Sequence, residues 1–498
     1  MLVVLAFPRY GSEVGLEGIV WFALVPLMAA AAGRGAGRGF LLGLCAGAIL
    51  EAAGFIWILH AIRSFTGMSA PIASLCFLGW LLAESLPWAL LGLVLGKARE
   101  PAGVLWALPF WVVLEHFYPR LFPWHLGGAL HAREWLVQNA DLVGASGLTA
   151  LVFLSNAVIH LLVRFLRGRS AFPWASSLAF LVFLTGSLVY GFLRIRELRA
   201  VLEDSPQVRV ACIQLAVAPL ERRETARVYL EATRSALSLR PLDLVVWPEG
   251  ADPHWFDLTP GKDPWSRHRE ARDRSATLLP ETLRAPLVTG AAGRDTTRMP
   301  PWSGIAAYLR PGEKPIFYEK NYRLLFGEYI PLIPPSWLEA LGAPASTLAA
   351  GTTNPPCPLG AATFKNLICY EAVLPDYVRR TSEGADFLVN ITEDMWYGRT
   401  AHIPQHVSVL VLRVVECRIP LVRAANVGPS GVFDITGRFH PGEKIFEPET
   451  VFGVVKARSP SSLFRRGGHH FPLLLGILLC VRWGWRAGIC PFFRRKLR

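Results

Sequence analysis

Apolar runs recur through the first 200 residues of this chain, and they constrain the fold more than any other feature of the sequence. They lie at about 18–32, 40–60, 71–95, 105–117, 147–163 and 174–193, and a last one lies at about 471–485. A helix needs roughly 20 apolar residues to cross the hydrocarbon core of a bilayer. The pattern therefore predicts a transmembrane helix bundle over residues 1–200, and one closing transmembrane helix with a basic tail within residues 461–498.

The first residues fit this pattern incompletely. Residues 1–7 are apolar, but Pro8 and the more polar stretch 9–17 follow at once. Such a stretch is only a fragment of a span. Either the first transmembrane helix is truncated, or this piece merely dips into the membrane.

Basic loop residues predict the orientation of the bundle. They fall into two alternating sets of loops, one with Arg34, Arg38, Lys97, Arg99, Arg164, Arg167 and Arg169, and the other with Arg63, Arg120 and Arg133. Loops with the excess of Lys and Arg stay in the cytoplasm. The first set and the tail at 486–498 are therefore expected there. That places residues 201–460 on the outer face of the membrane, which in a bacterium is the periplasm.

The net charge of +13 suggests two kinds of partner, nucleic acid and anionic lipid. Much of the charge lies in short loops and in the tail beside apolar runs, which is typical of a topology signal. We therefore expect the bilayer as a partner and no nucleic acid. Arg194, Arg196 and Arg199 follow the run that ends near residue 193, where we expect them near lipid phosphates.

Among the ionisable residues within the apolar runs, Glu51, Glu84 and the pair Glu115-His116 stand out. Ionisable groups inside a membrane are functional candidates by default. For Glu51 we favour a helix-end position or a pair within its own helix. For Glu84, near the middle of its run, the functional and structural interpretations both stay open.

From about residue 206 the sequence becomes that of an ordinary globular domain. The first 200 residues hold 14 Lys and Arg and 9 Asp and Glu, whereas the remaining 298 hold 37 and 29. Periodicity predicts helices at 222–239, 375–381 and 402–417, and strands at 208–214, 243–247, 285–290, 304–309, 316–319, 362–368, 387–390, 421–424, 431–435 and 451–456. Alternating strands and helices predict a layered α/β domain over residues 201–460.

Eight cysteines occur without a CxxC pair, so no zinc site or disulfide framework is predicted. Cys45, Cys76 and Cys480 lie in apolar runs and are interpreted as small hydrophobic residues. Whether a bridge forms among Cys212, Cys357 and Cys417 stays open.

Three reactive side chains follow predicted strands of the globular domain. Glu249 comes after the strand at 243–247, Lys320 after 316–319 and Cys369 after 362–368. A thiol that attacks an acyl carbonyl needs a base for its proton and a donor for the oxyanion. A carboxylate and an ammonium group can fill these two roles. His402 and His406 offer an alternative cysteine–histidine dyad, but their spacing is that of one helical face.

The motifs around these residues resemble the nitrilase superfamily. They are Trp247-Pro248-Glu249, Lys320 followed by Phe326-Gly327-Glu328-Tyr329, and Ile368-Cys369-Tyr370-Glu371. This resemblance implies a four-layer αββα sandwich with a Glu-Lys-Cys triad. Together with the apolar runs, it makes the whole chain similar to the apolipoprotein N-acyltransferase family, the membrane-embedded members of that superfamily.

The resemblance implies a role for each matching residue. Glu249 would be the general base, Lys320 the oxyanion stabiliser and Cys369 the nucleophile that carries a thioester. Glu328 would orient the lysine, and Tyr370 and Glu371 would support the nucleophile. Asn390, Trp396 and Tyr397 would belong to a loop that lines the acyl entrance.

The same resemblance implies the substrates. A phospholipid would donate an acyl chain, and the α-amine of the diacylglyceryl-cysteine at the N-terminus of an apolipoprotein would accept it in a ping-pong reaction. The family needs no metal or organic cofactor, and we expect a monomer.

Three stretches depart from the family pattern. Residues 215–224 lack the usual turn and its downstream tryptophan, and Leu324-Leu325 stands where Val-Pro is common. Glu393-Asp394 stands where the family commonly has Asn-Asp. The three matched catalytic residues are unaffected, but these stretches bear on acyl entrance and substrate choice.

Two other functions remain to be considered. A membrane-tethered amidase or hydrolase of the nitrilase type would use water as the acceptor instead of the amine. A catalytically silent membrane scaffold would have no need of an intact Glu, Lys and Cys set.

Overall fold

The computed structural model describes residues 1–12, 15–216, 222–270, 284–325, 327–329 and 348–486. Phe326 of the second motif, Val217 and the tail at 487–498 lie outside the described residues. The chain divides into two compact units. The helical unit comprises Met1–Ile56, Cys76–Arg194 and Ser462–Arg498, and the sheet unit comprises Trp57–Leu75 and Ile195–Ser461.

The first 200 residues are almost entirely helical. In chain order the helices are α1 (Leu2–Ala6), α2 (Val25–Ala31), α3 (Ala36–Phe55), α4 (Trp57–Thr66), α5 (Ala70–Lys97), α6 (Pro101–Leu105), α7 (Ala107–Phe117), α8 (Glu134–Val137), α9 (Ala140–Leu166) and α10 (Trp174–Glu203). Among the described residues, α3, α5, α9 and α10 are long and apolar enough to cross a membrane. Shorter apolar helical segments lie at Glu17–Ala31, Gly103–Phe117 and His470–Trp483. The chain is therefore a membrane protein, as predicted.

The apolar run predicted at 40–60 is two helices. α3 ends at Phe55 and α4 begins at Trp57, and residues 57–75 group with the sheet unit. The physical reason is a tertiary contact, since the indole nitrogen of Trp57 donates a hydrogen bond of 3.1 Å to Gln405 Oε1. Continuous hydropathy could not reveal a partner about 350 residues away.

Glycines let α3 and α5 pack backbone against backbone. A Cβ added at Gly39 would lie 2.2 Å from the carbonyl oxygen of Gly92, and one at Gly92 would lie 2.2 Å from the carbonyl oxygen of Gly39. Gly43 meets the backbone of Trp88 equally closely. Small residues drive helix association in a bilayer because they permit such close approach.

Glu51 and Glu84 both lie close to the guanidinium group of Arg120. Glu51 is fully buried, accepts a hydrogen bond from Trp88 Nε1 and lies 3.6 Å from the guanidinium of Arg120. Glu84 lies 3.5 Å from the same guanidinium. The predicted helix-end or intrahelical pairing of Glu51 is therefore wrong, because its partners come from other segments of the chain.

Arg194 also has a protein partner. Its Nε lies 3.0 Å from Asp141 Oδ2, and the hydroxyl of Tyr190 donates to the other oxygen of that carboxylate at 2.7 Å. Asp141 is buried, so Arg194 neutralises a buried carboxylate, a partner that the sequence did not predict.

In the described residues, the sheet unit contains one seven-stranded sheet and one six-stranded sheet. Its strands are β1 (Gln207–Gln214), β2 (Leu244–Val246), β3 (Phe256–Asp257), β4 (Leu287–Arg294), β5 (Trp302–Leu309), β6 (Ile316–Glu319), β7 (Cys357–Leu359), β8 (Ala362–Ile368), β9 (Phe387–Thr392), β10 (Leu421–Ala425), β11 (Gly431–Phe433), β12 (Phe439–Pro441) and β13 (Glu449–Lys456). The first sheet runs β13-β1-β2-β4-β5-β6 with β3 beside β4, and the second runs β12-β11-β10-β9-β8-β7.

The two sheets bury their apolar faces against each other. Val210, Val246 and Tyr318 of the first sheet belong to the same core cluster as Phe364 and Val389 of the second. Outside the sheets lie α11 (Arg222–Leu239), α12 (Ser266–Glu270), α13 (Pro375–Thr381) and α14 (His402–Cys417). Near the end of the chain, α15 (Leu463–Gly467) and α16 (His470–Arg486) belong to the helical unit. The predicted combination of a helical bundle and an αββα sandwich is confirmed.

Parallel pairing brings the reactive residues to one edge of the sandwich. β1, β2 and β4 are parallel, as are β8, β9 and β10. The carboxyl ends of parallel strands share one sheet edge, where ligands commonly bind. Glu249 follows β2 and Cys369 follows β8, so each sheet supplies one of them.

The glycine packing can be tested with Gly92→Leu in full-length protein in detergent. The added side chain has to displace the backbone of α3, so we expect a loss of about 1–3 kcal/mol of stability. Thermal unfolding measures the loss. Gly79→Leu on the same helix is the matched control, because a Cβ there meets nothing within 4 Å. Equal melting temperatures for the two variants would contradict this packing.

Candidate active site

Cys369 lies at a sharp turn where β8 becomes a 3₁₀ helix at Cys369–Val373. Its φ angle is +50°, a left-handed backbone conformation that costs a non-glycine residue about 1–3 kcal/mol. Such strain persists only where the surrounding contacts impose it. The turn ends the strand and presents the thiol at the edge of the sheet.

Lys320 lies between two carboxylates. Its Nζ is 2.6 Å from Glu328 Oε1 and 3.4 Å from Glu249 Oε1, and its side chain is only 3% exposed. Burial by itself lowers the pKa of Lys320, but Glu249 and Glu328 outweigh burial and raise the pKa well above its usual value. The lysine is therefore a permanent cation.

Glu328 is fixed by a second contact. Its other oxygen accepts a hydrogen bond of 2.6 Å from the backbone N–H of Leu324. Leu324 belongs to one of the stretches that depart from the family pattern, yet its backbone performs this task whatever its side chain is. Glu328 is thus held where it pairs with the Lys320 ammonium.

The thiol of Cys369 faces a carboxylate base. Cys369 is 8% exposed, and its thiol lies close enough to the Glu249 carboxylate for the two groups to interact electrostatically. Burial raises the pKa of Cys369, the charge of Glu249 raises it further, and Lys320 opposes both. Burial also raises the pKa of Glu249, although Lys320 lowers it. At rest the pair is a protonated thiol beside a carboxylate with an increased affinity for protons.

Glu371 connects the two sheets beneath this site. Its carboxylate accepts hydrogen bonds from the hydroxyl of Tyr318 on β6 at 2.5 Å and from the backbone N–H of Ile368 on β8 at 2.8 Å. The N–H groups of Asn321 and Tyr322 donate to its other oxygen. Burial raises the pKa of Glu371 to about 7, against the lowering effect of Tyr318. Glu371 therefore positions both the lysine and the nucleophile. Tyr370, beside it, is half-buried.

Asn390 is not in an entrance loop. It lies within β9, is fully buried, and donates to the carbonyl oxygens of Leu367 at 3.2 Å and Cys369 at 3.5 Å. The side-chain oxygen Oδ1 of Asn390 accepts a hydrogen bond from Arg423 Nη1. The prediction of an entrance role is therefore wrong for Asn390, which instead supports the turn at the nucleophile from below.

Trp396 and Tyr397 occupy the 3₁₀ turn Met395–Tyr397. Tyr397 is buried and stacks on His402 with ring centroids 3.5 Å apart. Trp396 is half-buried and stacks on Phe65 of α4 at 5.0 Å. Because α4 is separate from α3, its Phe65 can pack against this loop, a contact that the sequence did not reveal.

A cavity of about 530 Å³ opens beside Glu249. Its wall includes two further acidic residues, Asp252 and Glu393, and four aromatic ones. The aromatic lining residues are Tyr229, Trp255, Trp302 and Trp396. Sequence patterns did not single out Asp252, whose only local signal is that it follows Glu249 closely.

His402 and His406 belong to a buried polar network behind the site. Nδ1 of His406 lies 3.2 Å from Asp394 Oδ1, and Arg423 Nη2 lies 2.5 Å from Asp394 Oδ2. Burial lowers the pKa of His402 to about 4, although Asp394 raises it. The imidazole of His406 is directed to this carboxylate, so the alternative dyad with the thiol is not the arrangement seen.

Among the residues that the structure describes, two clusters of carboxylate and imidazole groups have donor atoms close enough to hold a metal ion. They are Asp252, His254 and His268, and Asp394, His402 and His406. In the first, both oxygens of Asp252 already face imidazoles at 3.0 and 3.3 Å. In the second, Arg423 already pairs with Asp394. Both are explained as hydrogen-bonded networks, and we assign a metal to neither.

The seven described cysteines carry free thiols. Cys212, Cys357 and Cys417 are among them, so the bridge that the sequence left open is not formed among these three.

Two family models match the chain. The model for the apolipoprotein N-acyltransferase N-terminal domain matches residues 1–158, and the carbon-nitrogen hydrolase model matches residues 209–452. A curated apolipoprotein N-acyltransferase of Geobacter metallireducens is 29% identical over 95% of this chain and 90% of its own length. One from Bdellovibrio bacteriovorus is 30% identical over 72% of this chain and 68% of its own.

Solved structures also match part of the chain. A carbon-nitrogen hydrolase from Helicobacter pylori has 14% identity and a TM-score of 0.38, and covers 50% of this chain and 89% of its own. Nit3 of Saccharomyces cerevisiae, a nitrilase-superfamily member, has 15% identity and a TM-score of 0.38 over 53% of this chain and 94% of its own.

The role of Glu371 can be tested with Glu371→Ala. The substitution leaves several buried donors without an acceptor, each at a cost of about 1–3 kcal/mol, so we expect the protein to lose at least about 3 kcal/mol of stability. Denaturant unfolding followed by tryptophan fluorescence measures this loss. The exposed Glu383→Ala serves as the matched control and should change stability little. A loss no larger than that of the control would show that Glu371 is not the anchor.

Proposed function

The chain belongs to the apolipoprotein N-acyltransferase family, and we propose that its sheet unit acylates the N-terminus of lipoproteins through a thioester on Cys369. The observation that carries this proposal is a lysine paired with the Glu249 and Glu328 carboxylates, with the buried Cys369 thiol within electrostatic reach of both Lys320 and Glu249. Acyl transfer through a thiol requires these three functions in one place.

In the first half-reaction the Cys369 thiol attacks the ester carbonyl of a phospholipid. Glu249 takes the thiol proton as the new C–S bond forms. The negative charge that develops on the carbonyl oxygen is stabilised by the ammonium group of Lys320. The tetrahedral intermediate then expels the lysophospholipid alkoxide, which takes the proton from Glu249 and leaves a thioester.

In the second half-reaction the α-amine of a diacylated lipoprotein attacks the thioester. The C–N bond forms, Glu249 takes a proton from the nitrogen, and the C–S bond breaks. The thiolate of Cys369 then recovers a proton from Glu249. The raised pKa of Glu249 suits it both to take a proton and to return it, because a general acid–base group works best when its pKa lies near the operating pH.

The location follows from the substrates and the loop charges. Both proposed substrates are lipids, so the thiol has to work at a membrane surface. The positive-inside pattern supports a topology with residues 201–460 in the periplasm, between the spans of residues 1–200 and the closing helix. We propose the bacterial inner membrane as its site, with the protein acting as a monomer.

The proposed function is tested with purified full-length protein, phosphatidylethanolamine and a synthetic diacylated lipopeptide in detergent micelles. We expect the lipopeptide to gain one acyl chain by mass spectrometry, and Cys369→Ala to abolish this gain. Cys357→Ala is the matched control, because it removes another buried thiol of the sheet unit. Lys320→Met should lower the rate about 10²–10³-fold, as expected for loss of an oxyanion donor.

Two results would contradict the proposal. Release of free fatty acid with an unmodified lipopeptide would indicate a hydrolase that uses water. Transfer by Cys369→Ala at the wild-type rate would exclude a thioester on this cysteine.

A further inference from the structure

A second cavity, of about 460 Å³, lies within the helical unit. Its wall is formed by the C-terminal end of α5, by residues of the segment that follows up to Phe110 on α7, and by the C-terminal part of α16. Its volume falls within the range of about 300–1,000 Å³ that is typical of ligand-binding pockets. The chemistry of its wall shows what kind of ligand it fits.

The wall of this cavity is mostly apolar. Its large apolar side chains are Leu93, Val94, Trp106, Phe110, Leu479 and Trp483. Small residues line the cavity between α5 and α6, where a Cβ added at Gly103 would lie 2.8 Å from Ala98 Cβ. Trp483 is 76% exposed, and Val481 beside it is exposed as well. Apolar side chains that are exposed on a membrane-spanning helix face lipid, so acyl chains of the bilayer can reach this wall.

Two basic side chains share the apolar wall. Lys97 is the last residue of α5 and is exposed, and Arg482 lies near the end of α16 and is half-buried. The guanidinium carbon of Arg482 lies 3.6 Å from the ring centroid of Trp106, a cation–π contact that orients the group. A guanidinium that stacks through its face keeps its N–H donors at its edge, in a fork that matches the oxygens of a phosphate.

The positive charge of the cavity is not balanced by acids in its wall. Among the described lining residues none is Asp or Glu. Arg99 and Glu100 follow Lys97 in the loop, where both are exposed and their charges offset each other. The cavity therefore presents two positive charges beside an apolar surface. An amphiphilic anion complements both features.

The loop charges indicate the leaflet that this cavity faces. Lys97 belongs to the set of loops expected in the cytoplasm, and α16 leads into the basic tail expected on the same side. Basic pockets between transmembrane helices on the cytoplasmic side bind the head groups of anionic lipids. A lipid of that leaflet has its phosphate near the helix ends and its acyl chains along the helices.

We propose that this cavity binds one anionic phospholipid of the cytoplasmic leaflet. The lipid phosphate pairs with the Lys97 ammonium and the Arg482 guanidinium. One acyl chain lies along Leu93, Phe110 and Leu479. The bound lipid joins the end of α5 to α16, the closing helix. It is a ligand held without any covalent step, and the inference does not depend on the acyl transfer proposed above.

Cys480 supplies a local reporter for the test, because its exposed thiol lines the cavity. Full-length protein in dodecyl maltoside is mixed with dialkyl phosphatidylglycerol, an anionic lipid that has no ester for Cys369 to attack. Dialkyl phosphatidylcholine with the same chains is the zwitterionic comparison, and inorganic phosphate is tested alone. Alkylation by N-ethylmaleimide is followed at each cysteine by peptide mass spectrometry. Cys45, an exposed thiol of α3, is the internal control.

We expect phosphatidylglycerol to slow the alkylation of Cys480 at a lower concentration than phosphatidylcholine does, and to leave Cys45 alkylation the same as phosphatidylcholine leaves it. A basic group near an anionic lipid contributes about fivefold to affinity. Lys97→Met and Arg482→Met should therefore each raise the half-protecting concentration of phosphatidylglycerol about fivefold. Arg167→Met is the matched control, because it removes an exposed charge from another loop of the same set, and it should leave that concentration unchanged.

Three outcomes would overturn the inference. Equal protection of Cys480 by the two lipids would mean that the cavity makes only the ordinary contacts of a membrane protein with its bilayer. Protection by inorganic phosphate alone would indicate a site for small anions. An unchanged half-protecting concentration in both Lys97→Met and Arg482→Met would show that the phosphate lies elsewhere. The comparison of the two lipids uses the wild-type protein, so it decides the question even if a variant fails to fold.

Discussion

The active site depends on one buried ionic arrangement, in which the Lys320 ammonium lies between the carboxylates of Glu249 and Glu328. Removing three charges from water is costly, and only close opposite charges and hydrogen bonds offset the penalty. The arrangement supplies these contacts, and it also sets the protonation states of its groups. Lys320 stays charged, and the pKa of Glu249 stays raised beside a Cys369 thiol that is protonated at rest.

The layer beneath explains why these groups stay in place. Glu371 accepts hydrogen bonds from Tyr318 on one sheet and from Ile368 on the other, so the ends of β6 and β8 are tied together at the site. Asn390 holds the carbonyl oxygen of Cys369, and Arg423 in turn holds Asn390. Catalytic groups need such support, because small displacements of reacting atoms cost much of the rate.

The sequence predicted the elements that local patterns encode. The strand before Cys369 and the helix at 402–417 were predicted at the bounds that the structure gives, because hydrophobic periodicity reflects burial directly. The three candidate catalytic residues follow strands, so their shared sheet edge was predictable as well. Asn390 was misplaced because its motif neighbours Trp396 and Tyr397 do lie in a loop, whereas it belongs to the buried strand before it. The pairing of Glu51 with Arg120 and of Trp57 with Gln405 depends on contacts between distant segments, which periodicity does not encode.

The proposed thioester on Cys369 can be observed by mass spectrometry of the intact protein mixed with phospholipid. We expect a mass increase of one acyl chain, located on the peptide that contains Cys369 and removed by hydroxylamine. We further expect that Glu249→Gln gains this mass far more slowly, since a positioned base contributes about 10²–10⁴-fold to such a step. A protein that transfers acyl chains without this adduct, or that carries the adduct on another residue, would contradict the account.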